Sequence, residues 1–296
     1  MSLPAAFVSV IMIWSTTPLA IKWSTLGVGA SFAVLSRMAV GTLLCAVLLV
    51  LLRERFPMHR RAWQAYLVSG LSMFGAMALT YWSAQFVSSG MISVMFGLSP
   101  LLTSFAATLW LKDEEALTPA RLAGMLLGIA GLALVFQGGL GLGEGALLGL
   151  AALFVAVALQ SLGLVWLKKI DDDSPPLATT LGTLIVALPL FLASWELADG
   201  HLPVMLPDKA VAATLYLAAF GSVLGFVLYY YMIKHMAAGH VALIALITPV
   251  MALLLGHGLN HEEVLPHVWF GTAFILLGLC MHRWGAQWLA YLPVRR

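Results

Sequence analysis

The chain has 296 residues, of which 61% are hydrophobic and only 9% are charged. A soluble domain carries roughly 25% charged residues, so this composition excludes a water-soluble globular protein and predicts an integral membrane protein. The net charge of +2 is too small and too dispersed to indicate nucleic-acid binding. The two cysteines lie far apart inside apolar runs, which excludes a disulfide framework.

Ten apolar segments are long enough to cross the hydrocarbon core of a membrane, which takes about 20 residues of helix. The segments are residues 4–22, 31–52, 63–84, 90–111, 119–137, 145–167, 177–195, 211–234, 240–258 and 268–288. The first segment lacks a basic n-region and a small-residue cleavage site, so we expect a span rather than a removable signal peptide. The connections are short, and the sequence predicts an all-α integral membrane protein with ten transmembrane helices.

The basic residues indicate the orientation of these helices. With the N-terminus placed in the cytoplasm, the connections on that side contain 12 Lys and Arg residues, whereas the opposite side contains only Lys22 and Lys209. Cytoplasmic loops of membrane proteins carry such an excess of positive charge. We therefore expect a multi-pass protein of the cytoplasmic (inner) membrane with both termini in the cytoplasm.

One apolar stretch occurs twice in the chain. Residues 90–100 read GMISVMFGLSP and residues 239–249 read GHVALIALITP, at an offset of 149 residues. In both copies a glycine lies ten positions before a proline, and Ser99 or Thr248 directly precedes that proline. The same offset aligns Tyr81 with Tyr230, Trp82 with Tyr231, and Asp113-Glu114 with Glu262-Glu263. Further on, an offset of 147 aligns Gly124 and Gly131 with Gly271 and Gly278.

A repeat of this kind predicts a duplicated unit. Five spans are an odd number, so each half would enter the membrane from the opposite side, and the second half would be an inverted copy of the first. The predicted halves are residues 1–138 and 145–296. The glycine-rich stretch between them is typical of a flexible turn, and no strand precedes it to suggest a nucleotide-binding loop.

Several features, taken in chain order, give the sequence a resemblance to a known family. They are Trp14-Ser15 followed by Pro18 and Lys22, Arg37 in the second span, the two Gly-to-Ser/Thr-Pro stretches, and the glycine-rich spans that follow each acidic loop. Over its full length the chain resembles the drug/metabolite transporter superfamily, EamA type. It departs from the family at residues 112–115, which read KDEE where a Gly-Glu pair is common. Within the family it is most similar to exporters of amino acids, including aromatic ones.

The resemblance implies ten helices in two inverted five-helix repeats, with a central cavity lined by spans 1–4 and 6–9, and transport of small metabolites. Transporter sites are expected near the midplane, where helices are irregular. Pro100 and Pro249 each remove a backbone donor. With Gly90 and Gly239 they are the predicted helix-break or hinge positions, and simple packing kinks are the alternative.

Aromatic side chains are predicted to form apolar walls around this cavity. They are Trp14, Tyr81, Trp82, Trp166 and Tyr230. The alternative is an aromatic belt at the membrane surfaces, where tyrosine and tryptophan also gather. An aromatic cage suits apolar or aromatic substrate groups and could also hold an ammonium group by cation–π attraction.

Polar residues inside the spans are few. Arg37 lies well inside its span, where it could bind a substrate carboxylate, or it could extend its stem to the interface instead. Neutral hydrogen-bonding candidates are Gln85, Ser99, Gln160 and Thr248. All 13 carboxylates fall in predicted loops or at span ends. Because intramembrane acids are the usual proton relays, this placement favours a facilitator driven by the substrate gradient.

The sequence therefore predicts an exporter of small neutral or zwitterionic metabolites, above all amino acids with hydrophobic or aromatic side chains, working by alternating access. The alternatives are a multidrug or hydrophobic-cation exporter, a passive channel and a membrane-embedded enzyme. No catalytic residue, cofactor or metal is expected, since the only metal-like pair, His257 and His261, lacks the His-Glu-x-x-His pattern. The expected partners are a small-molecule substrate and lipid, with no nucleic acid, and the oligomeric state stays open.

Overall fold

A computed structural model of the chain describes residues 3–111, 118–139, 145–198, 200–228, 232 and 238–290. Every regular element in these ranges is helical. The helices are α1 (Leu3–Ser24), α2 (Ala30–Leu51), α3 (Arg60–Ser83), α4 (Ser89–Phe96), α5 (Ser99–Leu111), α6 (Pro119–Gly139), α7 (Ala146–Ile170), α8 (Pro176–Ala198), α9 (Asp208–Tyr216), a π-helical segment (Leu217–Leu224), α10 (Ala238–Asn260) and α11 (Pro266–Ala290).

Seven helical stretches of the described chain are long and apolar enough to cross a membrane. They are Leu3–Ser24, Ala30–Leu51, Ser89–Trp110, Pro119–Gln137, Ala146–Ile170, Pro176–Ala198 and Asp208–Leu228. The protein is therefore a multi-pass membrane protein, but this number does not reach the ten spans predicted from sequence. One of the predicted spans outside this set, α3, begins with Arg60 and Arg61, and its polar start lowers its overall hydropathy.

The fourth predicted span is divided into two helices. Helix α4 ends at Phe96 and α5 begins at Ser99, so the break falls at Gly97 and Leu98, directly before Pro100. Proline has no N–H to donate to the carbonyl four residues earlier, and its ring clashes with that carbonyl. The chain therefore leaves the α-helical path just before the proline and resumes it at Ser99.

The eighth predicted span contains a different irregularity. Helix α9 passes directly into the π-helical segment at Leu217, and α-helix returns from Gly225 to Leu228. The N–H of Gly225 donates to the carbonyl of Phe220, five residues earlier. Such π segments are rare and are found frequently at functional sites, because the widened turn shifts the register of the side chains.

Helices α6 and α11 pack through facing glycines. A Cβ atom built on Gly124 would lie 2.5 Å from the carbonyl oxygen of Gly278, and one built on Gly131 would lie 2.6 Å from that of Gly271. Small residues allow two helix backbones to approach this closely in a membrane. The pairing of Gly124 with Gly278 and of Gly131 with Gly271 shows that the two helices run antiparallel.

Candidate functional site

A single buried arginine lies at the centre of the candidate site. Arg37 on α2 is 4% exposed. Its Nε donates to Ser222 Oγ at 3.1 Å and its Nη1 to the Tyr81 hydroxyl at 3.4 Å. The described residues contain two ion pairs, and Arg37 belongs to neither of them. Its described side-chain partners are hydroxyl groups and not a carboxylate. The side chain is therefore held inside the bundle and does not extend to the membrane surface.

The π-helical segment forms one side of this arginine site. Ser222 contributes its hydroxyl, and Gly221 lies so close that an added Cβ would be 3.2 Å from Arg37 Nη2 and 3.7 Å from Thr17 Oγ1. Because Gly221 has no side chain, no Cβ atom lies beside the Nη2 edge of the guanidinium. A guanidinium has five N–H donors in a planar fork that matches a carboxylate. An anionic oxygen pair is the chemical group that this edge would accept.

An indole ring from α1 packs against Gly225, one turn beyond Gly221 on the same helical stretch. Trp14 on α1 is half-buried, and a Cβ built on Gly225 would lie 3.0 Å from its Nε1. The ring of Phe226 meets it edge to face at 6.4 Å between centroids. Because Gly221 and Gly225 are four residues apart, the arginine and the indole contact one face of the same helical stretch. A charged group and an apolar wall are thus adjacent.

Two predicted aromatic residues differ in their placement. Tyr81 is fully buried on α3, and its hydroxyl reaches Arg37, so it belongs to the arginine site. Trp82 is half-buried on the neighbouring face of α3 and packs against Phe86, with 4.8 Å between ring centroids. The predicted repeat partner Tyr230 lies outside the described residues.

Two other predicted site residues face away from the arginine site. Gln85 is exposed, and its Nε2 donates to the carbonyl of Trp82 at 3.1 Å. Trp166 is 43% exposed near the end of α7, where Lys169 Nζ lies 5.5 Å from the ring centroid. A tryptophan beside a lysine at a helix end is typical of a membrane interface.

The remaining polar candidates have no described contact with Arg37. Ser99 Oγ lies 3.3 Å from Ser161 Oγ, at the break between α4 and α5. Thr248 Oγ1 donates to the carbonyl of Ile244 at 2.9 Å within α10. The Oε1 of Gln160 is buried without a hydrogen-bond donor among the described residues. An unsatisfied buried amide oxygen is costly, so Gln160 keeps an acceptor available for a ligand or for water.

The two copies of the glycine–proline stretch differ in structure. Pro100 follows the helix break, whereas Pro249 lies inside the continuous helix α10, and Gly239 lies in the first turn of that helix. Gly90 lies in the first turn of α4, where an added Cβ would come within 2.5 Å of Leu253 Cδ2. Its missing side chain therefore allows α4 and α10 to approach closely. The sequence predicts helix breaks at both prolines, and the described backbone is broken only before Pro100.

Sequence reasoning missed a buried acid. Glu262 lies in the loop after α10, as predicted for all the carboxylates, but it is only 9% exposed. Its Oε2 accepts hydrogen bonds from the backbone N and the Oγ of Ser89, both at 2.8 Å, and its Oε1 accepts one from Asn260 Nδ2 at 2.9 Å. Lys22 Nζ is 3.9 Å from Oε1. The repeat of an acidic pair after each proline stretch was the signal in the sequence that pointed to this position.

The predicted histidine pair is not arranged on one helix face. Helix α10 ends at Asn260, so His261 lies beyond it, with a positive φ of 52°. The Nδ1 of His257 lies 3.0 Å from the carbonyl oxygen of Glu262. Within the described ranges no group of three His, Cys, Asp or Glu residues could hold a metal ion.

The long apolar helices and the buried basic site are features of a polytopic membrane transporter. Comparison with known proteins gives the family: the chain belongs to the EamA-like transporter family, whose model matches residues 3–137 and again residues 147–283. The two matches together cover most of the sequence.

Several relatives are similar over nearly the whole chain. An S-adenosylmethionine/S-adenosylhomocysteine transporter of Chlamydia muridarum is 26% identical, over 90% of this chain and 86% of the relative. The uncharacterized inner membrane transporter YedA of Escherichia coli K12 is 27% identical, over 87% of this chain and 82% of the relative. A solved crystal structure has a TM-score of 0.68 at 20% identity and covers 97% of this chain and 98% of that chain, which shows a shared fold.

Proposed function

We propose that this protein exports small zwitterionic metabolites, above all amino acids with hydrophobic or aromatic side chains, by alternating access. The observation that carries the proposal is the buried guanidinium of Arg37, which is hydrogen-bonded to the hydroxyls of Ser222 and Tyr81. A buried charge costs several kcal/mol unless it is paired. A substrate carboxylate would supply the missing charge and a planar pair of oxygen atoms.

The surroundings of Arg37 suit the rest of an amino acid. Trp14 lies next to Gly225 on the same helical stretch as Gly221 and offers an apolar face for a side chain. A basic site does not suit a hydrophobic cation, which Arg37 would repel. The arginine therefore favours a carboxylate-bearing substrate over the hydrophobic-cation alternative.

Symmetry in the packing supports two inverted halves with bounds near residues 1–138 and 145–296. The offset of 147 exchanges the Gly124–Gly278 contact with the Gly271–Gly131 contact. Two contacts that the repeat offset exchanges in this way are expected for antiparallel repeats related by an axis in the membrane plane. The proposal has ten spans, five in each half.

Contacts between loops agree with the predicted orientation. Trp23 Nε1 donates to Asn260 Oδ1 at 2.9 Å, and both residues lie on the predicted non-cytoplasmic side. His59 Nε2 lies 3.7 Å from Asp172 Oδ1, and both residues lie on the predicted cytoplasmic side. Each pair joins segments that the predicted topology assigns to the same face, which supports the predicted alternation of the spans. The proposal that both termini are cytoplasmic rests on the distribution of Lys and Arg.

S-Adenosylmethionine is a second candidate substrate. The Chlamydia relative is named as a transporter of S-adenosylmethionine and S-adenosylhomocysteine. Both molecules carry the carboxylate and ammonium groups of an amino acid, so they would use the same anchor at Arg37. Their adenine ring would also need an aromatic face, which the Trp14 side of the site offers.

Counterflow in proteoliposomes tests the proposal. The vesicles are loaded with one unlabelled compound at a time, and the same compound is added outside in labelled form in trace amounts: phenylalanine, methionine, S-adenosylmethionine or a hydrophobic organic cation without a carboxylate. Transient accumulation with an amino acid supports the proposal and distinguishes a carrier from a passive channel. Accumulation of S-adenosylmethionine alone supports the second candidate, and accumulation of an organic cation alone contradicts both.

The same assay with variants tests the anchor. Arg37→Gln should abolish accumulation, because a neutral amide cannot balance a buried carboxylate. Arg60, an exposed arginine at the start of α3, provides the matched control, and Arg60→Gln should leave the counterflow near its original level. Equal counterflow in the Arg37→Gln variant would contradict the carboxylate anchor.

A further inference from the structure

We infer that Glu262 holds the non-cytoplasmic end of the transport path closed, and that its departure from Ser89 opens this end. The inference rests on the proposed alternating access, but it does not depend on which substrate is carried. It concerns a layer of contacts between Arg37 and the predicted outer face, built from both halves of the chain.

The carboxylate of Glu262 is bound at the start of helix α4. It accepts the backbone N–H of Ser89, the first residue of that helix, together with the Ser89 hydroxyl. The first N–H groups of a helix lack partners within the helix and carry partial positive charge, so a carboxylate stabilises them. Here the cap comes from the loop after α10, in the other half of the protein. The contact therefore ties the two halves together at one face.

Helix α1 joins the same layer. Lys22 Nζ donates to the carbonyl of Val87 at 2.9 Å and lies 3.9 Å from the Glu262 carboxylate. Trp23 donates to Asn260, which in turn donates to Glu262. The ends of α1 and α10 and the start of α4 are thus joined around one acid. All the groups bonded to its oxygens are donors, which is the arrangement that an ionised carboxylate requires.

A glycine makes room for this carboxylate. A Cβ built on Gly256 of α10 would lie 2.6 Å from Glu262 Oε2 and 2.7 Å from Ser89 Oγ. A side chain at position 256 would therefore push the carboxylate or the Ser89 hydroxyl out of its present place. Glu263, the next residue in the loop, is exposed and provides a natural control.

The layer lies on the outer side of the arginine site. Thr17, whose Oγ1 lies near the Gly221 position opposite Arg37, precedes Lys22 by five residues on α1. Five residues of helix rise about 7.5 Å. Opening the Glu262 contact would therefore uncover the route from Thr17 to the predicted outer face.

Cysteine accessibility tests the inference without a substrate. Thr17→Cys is introduced together with Cys45→Ala and Cys280→Ala, and a membrane-impermeant thiol reagent is added to right-side-out or inside-out vesicles. Glu262→Gln should speed labelling from the outer side by about tenfold, because charge-assisted hydrogen bonds and an ion pair are lost. Gly256→Ala should act in the same direction, because it displaces the carboxylate but keeps its charge. Glu263→Gln should leave the rate unchanged.

The outcomes separate the gate from the transport mechanism. Outer labelling that is slow in every variant, with inner labelling fast, would overturn the role of Glu262 and leave alternating access intact. Equal and fast labelling from both sides in the parent protein would contradict an outer end that Glu262 holds closed, whereas failure of alternating access itself would appear as a lack of counterflow. Faster outer labelling in Glu262→Gln and Gly256→Ala, but not in Glu263→Gln, is the result that supports the inference.

Discussion

Gly221 and Arg37 face each other across α2 and the π-helical segment, so closely that a methyl group on Gly221 would lie 3.2 Å from Arg37 Nη2. A side chain at this position would lie against the edge of the guanidinium that we propose for the substrate carboxylate. The π-helical register sets the contact, because it brings Gly221 and Ser222 to the same arginine. The two residues together define the space for an anionic group.

Gly221→Ala should therefore weaken transport more than it weakens folding. The added methyl group occupies the space beside Nη2 and should raise the apparent KM for an amino acid by about tenfold, the value of one strong hydrogen bond. Gly41→Ala is the control, since a Cβ there would lie 3.7 Å from the nearest atom, Ser222 Cβ. An unchanged KM in Gly221→Ala, measured by uptake into proteoliposomes, would show that substrate does not approach this edge.

The two hydroxyl partners of Arg37 should differ in importance. Ser222 Oγ accepts from Nε at 3.1 Å, whereas the Tyr81 hydroxyl lies at the longer distance of 3.4 Å. Hydrogen bonds weaken as they lengthen, so Ser222→Ala should reduce transport more than Tyr81→Phe. Initial uptake rates of the two variants, at equal protein content in the vesicles, check this order. The reverse order would indicate that the guanidinium points towards α3 when substrate binds.

The exposed aromatic and amide candidates should prove dispensable. Trp166 and Gln85 face the outside of the helix bundle, whereas Trp14 packs against Gly225 and Phe226. Trp14→Ala should abolish uptake of phenylalanine, while Trp166→Ala and Gln85→Ala should retain most of it. Loss of uptake in Trp166→Ala, in protein that elutes as a single species in detergent, would place the substrate path on the α7 side instead.

The glycine contact between α6 and α11 should contribute strongly to stability. A Cβ on Gly124 would lie 2.5 Å from the Gly278 carbonyl oxygen and 2.6 Å from the backbone N of His282, so the helices must separate to admit it. Overpacking of this kind costs about 1–3 kcal/mol. Gly124→Ala should lower the melting temperature of the purified protein, and Gly258→Ala, with open space around it, should not. Equal melting temperatures would contradict the close packing.

Much of this architecture could be predicted from the sequence because the lipid environment permits few backbone solutions. The apolar segments predicted a helical membrane protein, and the family match confirms the predicted membership of the EamA-like transporter family. The helix break before Pro100 was also predicted, because proline removes a donor at a known position. The prediction did not distinguish the two prolines: Pro249 lies in a continuous helix, where Thr248 Oγ1 hydrogen-bonds the neighbouring carbonyl of Ile244.

The side-chain contacts of the site were harder to predict. Arg37 was a candidate because a charge inside a span is rare, but its partner Ser222 belongs to a π-helical register that hydrophobic periodicity does not reveal. Glu262 was assigned to a loop, and loops are usually solvated. Its burial depends on Ser89, which is 173 residues away in the sequence and approaches it only in the folded chain. Long-range contacts of this kind leave little local signal in a sequence.

Competition in counterflow tests the central claim most directly. Labelled phenylalanine is the probe, and the competitors are unlabelled phenylalanine and phenethylamine, which has the same ring and ammonium group but no carboxylate. If Arg37 binds the carboxylate, phenylalanine should compete at least about a hundredfold better than phenethylamine, since an unpaired buried charge costs about 3 kcal/mol or more. Equal competition by the two compounds would contradict a carboxylate anchor at Arg37.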